Sequence, residues 1–177
     1  MREPYRTVLC DPPWLYKSEN FGTGASTKYP CMRNADIASW GVAQLTGKVA
    51  DKAHLYLWTT NSFMEAAHQI AVSWGFQPKT IITWIKNGLG TGYYFRNTTE
   101  HLLFATRGNL GTLRDDVPTH FAADRQQHSV KPQMAYHIIE KASPGPRLEL
   151  FARTHRDGWD VVGNQVEPFI VQELPME

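Results

Sequence analysis

Thr7-Val-Leu-Cys10 is an apolar run that stops on Asp11-Pro-Pro-Trp14. Two consecutive prolines remove two backbone donors and fix φ, so no strand ladder continues through them. The run therefore reads as a buried strand that feeds a loop. Everything that follows has to fit a sheet with this strand inside it.

The remaining pattern alternates. Asn34 or Asp36 is placed to cap a short helix through Ile37, Trp40, Gln44 and Leu45. His54-Leu-Tyr-Leu-Trp-Thr59 reads as a strand, and Asn61 or Ser62 opens a helix carrying Met64, Ala67, Ile70, Ala71 and Trp74 up to Gly75. Thr80 to Ile85 is β-branched and aromatic, and His101 to Thr106 is its expected antiparallel partner. A loop over 108–132 leads to a helix from Gln133 to about Ala142, closed by Ser143-Pro-Gly-Pro146. Strands at 147–151 and 159–162 finish the pattern. Strands alternating with helices imply an α/β fold: a mostly parallel sheet with one antiparallel hairpin.

The chain has 177 residues, 42% of them hydrophobic and 20% charged, which fits one domain over 1–177 with a core of its own. No apolar stretch reaches membrane-span length and no signal-peptide core opens the chain, so a cytoplasmic location is expected. Cys10 and Cys31 are too few for a disulfide framework. The seven histidines show no metal-ligand spacing, and no metal is expected. The net charge of +1 does not announce a nucleic-acid binder. The distribution says more than the sum: from Ala66 to Arg114 the only acid is Glu100, against five Lys and Arg, while Asp157 to Glu177 holds five acids and no base.

In an open α/β sheet, ligands sit beyond the carboxyl ends of the strands, where Asp11-Pro-Pro-Trp14 must lie. Its parts suit the methylation of an exocyclic amine. The amine of adenine is a poor nucleophile because its lone pair is delocalised into the ring. A carboxylate and a fixed carbonyl that accept its two N–H bonds favour the pyramidal, localised form of the transition state. The prolines hold the carbonyl, and an indole gives a flat face for an extruded base. The plainer alternative is a Pro-rich turn with a core tryptophan.

Together with Trp84-Ile-Lys86, His128-Ser-Val-Lys-Pro132, Ser143-Pro-Gly-Pro-Arg147-Leu-Glu-Leu-Phe-Ala-Arg153 and Gly163-Asn-Gln165, the tetrapeptide resembles the family of adenine-N6 methyltransferases typified by the catalytic subunit of the mRNA methyladenosine writer. The matches keep the family's order over nearly the whole chain. The resemblance implies a Rossmann-like fold using S-adenosyl-L-methionine, with the catalytic motif before the cofactor-binding strand. It implies that Asp11, Pro12, Pro13 and Trp14 are catalytic, with Asp11 holding the target amine near the methionine end of the cofactor and Pro12 giving the carbonyl. Cys10, Lys131, Arg153, His155, Asn164 and Gln165 join Asp11 around the cofactor: Lys131 on its carboxylate, Arg153 and His155 on the ribose, Asn164 and Gln165 on ribose and adenine. Trp14, Tyr29, Lys86, Arg125 and His128 are implied for the substrate. Taken singly, Lys131 also fits a solvated helix-start lysine, His155 a surface histidine, and Asn164-Gln165 a turn cap.

The chain also departs from the usual pattern. Phe151-Ala-Arg153 stands where many methyltransferases have a Gly-rich loop. Only six residues precede Thr7, so the acidic segment that larger members bring to the cofactor adenine is not expected. The Gly-rich segment 88–92, followed by Tyr93, Tyr94, Phe95 and Arg96, reads as a hairpin tip with the makings of a base-stacking surface rather than a phosphate loop. The expected partner is adenine-containing nucleic acid, DNA before RNA, with no membrane and with recognition shared by a homo- or heterodimer partner. A non-catalytic nucleic-acid-binding or scaffold subunit is the alternative.

Overall fold

The computed structural model describes residues 3–16, 30–90, 94–124, 131–163 and Val166. Seven strands form one sheet: β1 (Tyr5–Cys10), β2 (Val49–Thr59), β3 (Gln77–Lys86), β4 (Thr99–Arg107), β5 (His120–Ala123), β6 (Arg147–Leu150) and β7 (Asp160–Val162). Three helices accompany them: α1 (Asn34–Leu45), α2 (Met64–Ser73) and α3 (Gln133–Ala142). The strand order is β5-β3-β4-β2-β1-β6-β7. β1 pairs in parallel with β2 and β6, β6 with β7, and β3 with β5, while β4 is antiparallel to both neighbours. Six strands therefore point one way and β4 alone points back.

Period-two alternation sorts the core. Val8 and Cys10, Leu55 and Leu57, Leu103 and Ala105 face α1 and α2, through Ile37, Trp40, Ala67 and Ile70. Leu9, Tyr56, Trp58, Leu102 and Phe104 face α3, through Ala135, Ile138 and Ile139. β1 thus sits where one connection leaves to one face and the next returns on the other, the switch point at which α/β sheets open a crevice.

Close packing explains one glycine at once. Trp74, at the end of α2, lies across Gly41 of α1 and donates its indole N–H to the Ala38 carbonyl at 2.9 Å. A Cβ at position 41 would come within 2.1 Å of the Trp74 ring. Nothing larger than glycine lets these helices meet.

The α/β expectation holds, and several details differ from the sequence reading. β5 lies inside the stretch 108–132 that reads as a loop, because a four-residue edge strand with one buried residue, Phe121, has too little periodicity to register. β2 begins at Val49 rather than His54, since its first turns of the pleat carry the exposed Asp51 and Lys52. α1 is preceded by Arg33 and has no side-chain cap. Asp36 instead accepts from the Arg33 guanidinium at 2.7 Å, which occupies the carboxylate that would have capped the helix. α2 is entered through a 3-10 turn over Asn61–Phe63.

Candidate active site

Because only β4 is reversed, the carboxyl ends of β1, β2, β3 and β6 share an edge with the amino end of β4. This brings Asp11, Lys86 and Glu100 together, and the amino end of α3 adds Lys131. The Lys131 ammonium lies 2.7 Å from Asp11 Oδ2 and 3.6 Å from Glu100 Oε2. Lys86 pairs with the other oxygen of Glu100. The result is a line of alternating charge, Asp11, Lys131, Glu100, Lys86, drawn from four elements.

Two buried indoles form its floor. Lys131 Nζ lies 5.2 Å from the centre of the Trp58 ring and Lys86 Nζ 4.7 Å from that of Trp84, within cation–π range. Trp84 donates its N–H to the Ala123 carbonyl at the end of β5. Burial works against the Lys131 ammonium, but the carboxylates of Asp11 and Glu100 outweigh it and its pKa is raised. For Glu100 burial pushes up and the two lysines pull down harder, so its pKa is lowered.

The tetrapeptide loop is built rigidly. The Pro12 carbonyl accepts from Trp14 N–H at 2.9 Å, and the Pro13 carbonyl accepts from Met32 N–H at 2.8 Å. A carbonyl has two lone pairs, so that of Pro12 keeps one acceptor site while its direction is fixed. Trp14 is only 8% exposed. Its N–H donates to the Trp58 carbonyl, and its ring stacks on Phe63 with centroids 4.9 Å apart. One face of the indole is therefore covered by protein, and Trp14 is a packed wall of the site rather than an open platform.

Behind Asp11, on the neighbouring strand, Glu149 is 7% exposed and accepts from Tyr136 O–H at 2.8 Å. Burial, reinforced by the charge of Asp11, raises its carboxyl to about 7. Cys10 is fully buried, and burial with Asp11 and Glu149 nearby raises its thiol. The charge of Arg153 is felt at Lys131. His155 is exposed and lines a cavity of about 590 Å³ with Glu140, Arg147, Arg156 and Asp157. Arg147 opens β6 at the edge opposite Asp11, so this cavity lies apart from the charge line. Tyr29, Arg125, His128, Asn164 and Gln165 lie outside the described residues.

The turn after β6 has its own geometry. Phe151 adopts φ of 61°, a left-handed conformation costly for a bulky residue, and its ring packs on Trp40 at 4.3 Å. Gly163, just beyond β7, comes so close to this turn that a Cβ there would fall 2.0 Å from the Ala152 carbonyl oxygen. The glycine of Gly163-Asn-Gln165 is thus required by the backbone of the neighbouring motif. The donor set suits a zwitterionic cofactor such as S-adenosylmethionine: Lys131 for a carboxylate, Asp11 and Glu149 for an ammonium.

Sequence reasoning assigned no role to Glu100, Trp58, Glu149 or Tyr136. Glu100 carried a signal, as the one acid between Ala66 and Arg114. Glu149 carried another, as a charge in the middle of the apolar strand β6.

The chain is similar to known methyltransferases along most of its length. The chain is 33% identical to the Type II methyltransferase M.MunI of a Mycoplasma species, over 93% of this chain and 79% of that protein. It is 29% identical to the N(6)-adenosine-methyltransferase MT-A70-like protein of Drosophila melanogaster and 28% to the human catalytic subunit METTL3, over 92% of this chain in each case. Those longer relatives are covered over only 27% and 28% of their length. The MT-A70 family model matches residues 5–165, a span that begins with the strand leading into Asp11 and ends on Gln165, and the chain belongs to the MT-A70 family.

Proposed function

We propose that the chain is an adenine-N6 methyltransferase that uses S-adenosylmethionine and acts on nucleic acid. The observation that carries this reading is the Asp11 carboxylate on a proline-fixed turn at the switch point, 2.7 Å from the Lys131 ammonium. When bound, S-adenosylmethionine supplies an electrophilic methyl on a sulfonium. The protein's work is on the nucleophile.

Asp11 and the free lone pair of the Pro12 carbonyl accept the two N–H bonds of the target amine, which draws its lone pair out of the ring. Trp14, braced by Phe63, walls the base. Lys131 holds the cofactor carboxylate, with Arg153 on the ribose and Asn164 and Gln165 towards the adenine. Moving Lys131 toward that carboxylate frees an oxygen of Asp11 for the amine, so cofactor binding and acceptor readiness are coupled. Transfer of the methyl, with cleavage of its bond to sulfur, would leave the amine cationic, and its surplus proton would leave along the hydrogen bond to Asp11.

DNA is favoured over RNA, because the relative matched over most of its own length is the Type II methyltransferase rather than an adenosine methyltransferase. The test is incubation with labelled S-adenosylmethionine and single- and double-stranded DNA and RNA, followed by mapping of the modified base. Label on adenine N6 in DNA, absent with Asp11→Ala, is the expected result. Label in RNA alone overturns the substrate, and retention of activity by Asp11→Ala overturns the site. A chain that binds no cofactor by calorimetry would be a scaffold subunit instead.

A further inference from the structure

The hairpin between β3 and β4 grows directly out of the candidate site. Its two roots are Lys86 and Glu100, which are paired with each other, and Lys86 N–H bonds to the Thr98 carbonyl at 2.8 Å. Beyond them, Tyr94 and Phe95 are each 87% exposed. Two adjacent aromatic side chains standing almost wholly in water are a poor use of apolar surface unless something covers them.

Charge argues for what that is. From Asn87 to Thr99 there is no acidic residue, and Arg96 follows Phe95 directly. Of the carboxylates near the root, Glu100 is paired with Lys86 and Asp124 accepts from the Asn87 amide. Distance agrees: Phe95 is five residues from Glu100, so it lies at most about 18 Å away. That spans about five stacked nucleotides at about 3.4 Å each. An enzyme that works on one extruded base must hold the strand on either side of it, and aromatic faces do so without regard to base identity.

We propose that Tyr94, Phe95 and Arg96 form the surface that holds the nucleotides flanking the target adenine, with bases stacked on the two rings and a phosphate on the guanidinium. This rests on the reading of the site as an adenine-N6 methyltransferase centre. Stacking needs an unpaired base, so the surface favours single-stranded or locally opened nucleic acid over duplex.

The experiment compares the wild type with Phe95→Ala, Tyr94→Ala, the double variant and Phe95→Trp. Fluorescence anisotropy with a labelled single-stranded oligonucleotide and its duplex gives Kd, initial rates give KM and kcat, and thermal melts report folding. The expected result is an increase in single-strand Kd and KM of about tenfold for each alanine, with kcat and Tm unchanged and Phe95→Trp close to wild type. An unchanged Kd in the double variant overturns the proposal. So does sedimentation showing a wild-type dimer that the double variant dissolves, which would make the surface a contact between copies. If the wild type methylates no oligonucleotide, the methyltransferase reading fails and anisotropy alone decides the hairpin. If the wild type binds none, the proposal falls.

Discussion

The two edges of the sheet each carry a polar cluster, and they are built on opposite plans. At the amino edge His54 is wholly buried, with Nδ1 2.7 Å from Ser143 Oγ and Nε2 3.0 Å from the Leu110 carbonyl oxygen. Tyr56 O–H completes the set at 2.8 Å from the same Ser143 oxygen. Every group is neutral and partnered, and the network ties β2 to the end of α3. At the carboxyl edge Asp11, Lys131, Glu100 and Lys86 are charged and partly open to solvent. The first cluster is a closed structural lock. The second is a line of alternating charges partly open to solvent, and the difference shows why polar residues alone do not mark a site.

The sharpest test of that contrast is Asp11→Ala, which should lower methyl transfer by at least about a hundredfold while leaving Tm nearly unchanged. A large fall in Tm would place Asp11 among the structural residues and break the comparison. His54→Ala should do the reverse. Loss of a buried, fully partnered group costs about 2 kcal/mol, a Tm lower by about 6 °C, with kcat intact below the melt.

The lock also sets an acid limit. Burial lowers the pKa of His54 from 6.5, so the unfolded chain takes up a proton before the folded one does. Stability from His54 is complete above pH 6.5 and declines as pH falls below it. Urea melts from pH 7.5 to 5 should show that decline, and His54→Gln should flatten it.

Glu149 gives the smallest and most discriminating effect. Its pKa is raised by burial from 4.5 to about 7, so the folded state keeps a proton that the unfolded state releases between those values. The group therefore destabilises the fold increasingly as pH rises through that window. Glu149→Gln keeps an acceptor for Tyr136 and should add about 1 to 2 kcal/mol at pH 8 but almost nothing at pH 4.5, as read from paired melts. An equal gain at both pH values would remove Glu149 from the charge system around Asp11.

Much of this was legible in the residues. The apolar run before the two prolines placed β1, and apolar, β-branched and aromatic runs placed β2, β3 and β4 with the right antiparallel pair. Lys131 was implied for the cofactor carboxylate by the resemblance, but its partners in this structure, Asp11 and Glu100, were not legible, because a charge pair across 120 positions leaves no periodic trace. β5 escaped for the same reason that short edge strands do: Phe121 alone is buried. Trp14 reads as a stacking face in sequence, and only packing reveals that Phe63 already covers one side.

The near-contact of Gly163 with the Ala152 carbonyl has a mechanical consequence. With Ala152 N–H bonded to the Val162 carbonyl at 3.1 Å, the turn after β6 and the end of β7 move as one stiff plate. After β1, Trp14 bridges Met32, with the Met32 N–H bonded to the Pro13 carbonyl and the Leu15 N–H to the Met32 carbonyl. A side chain at position 163 would disturb the turn after β6 and the end of β7 at once.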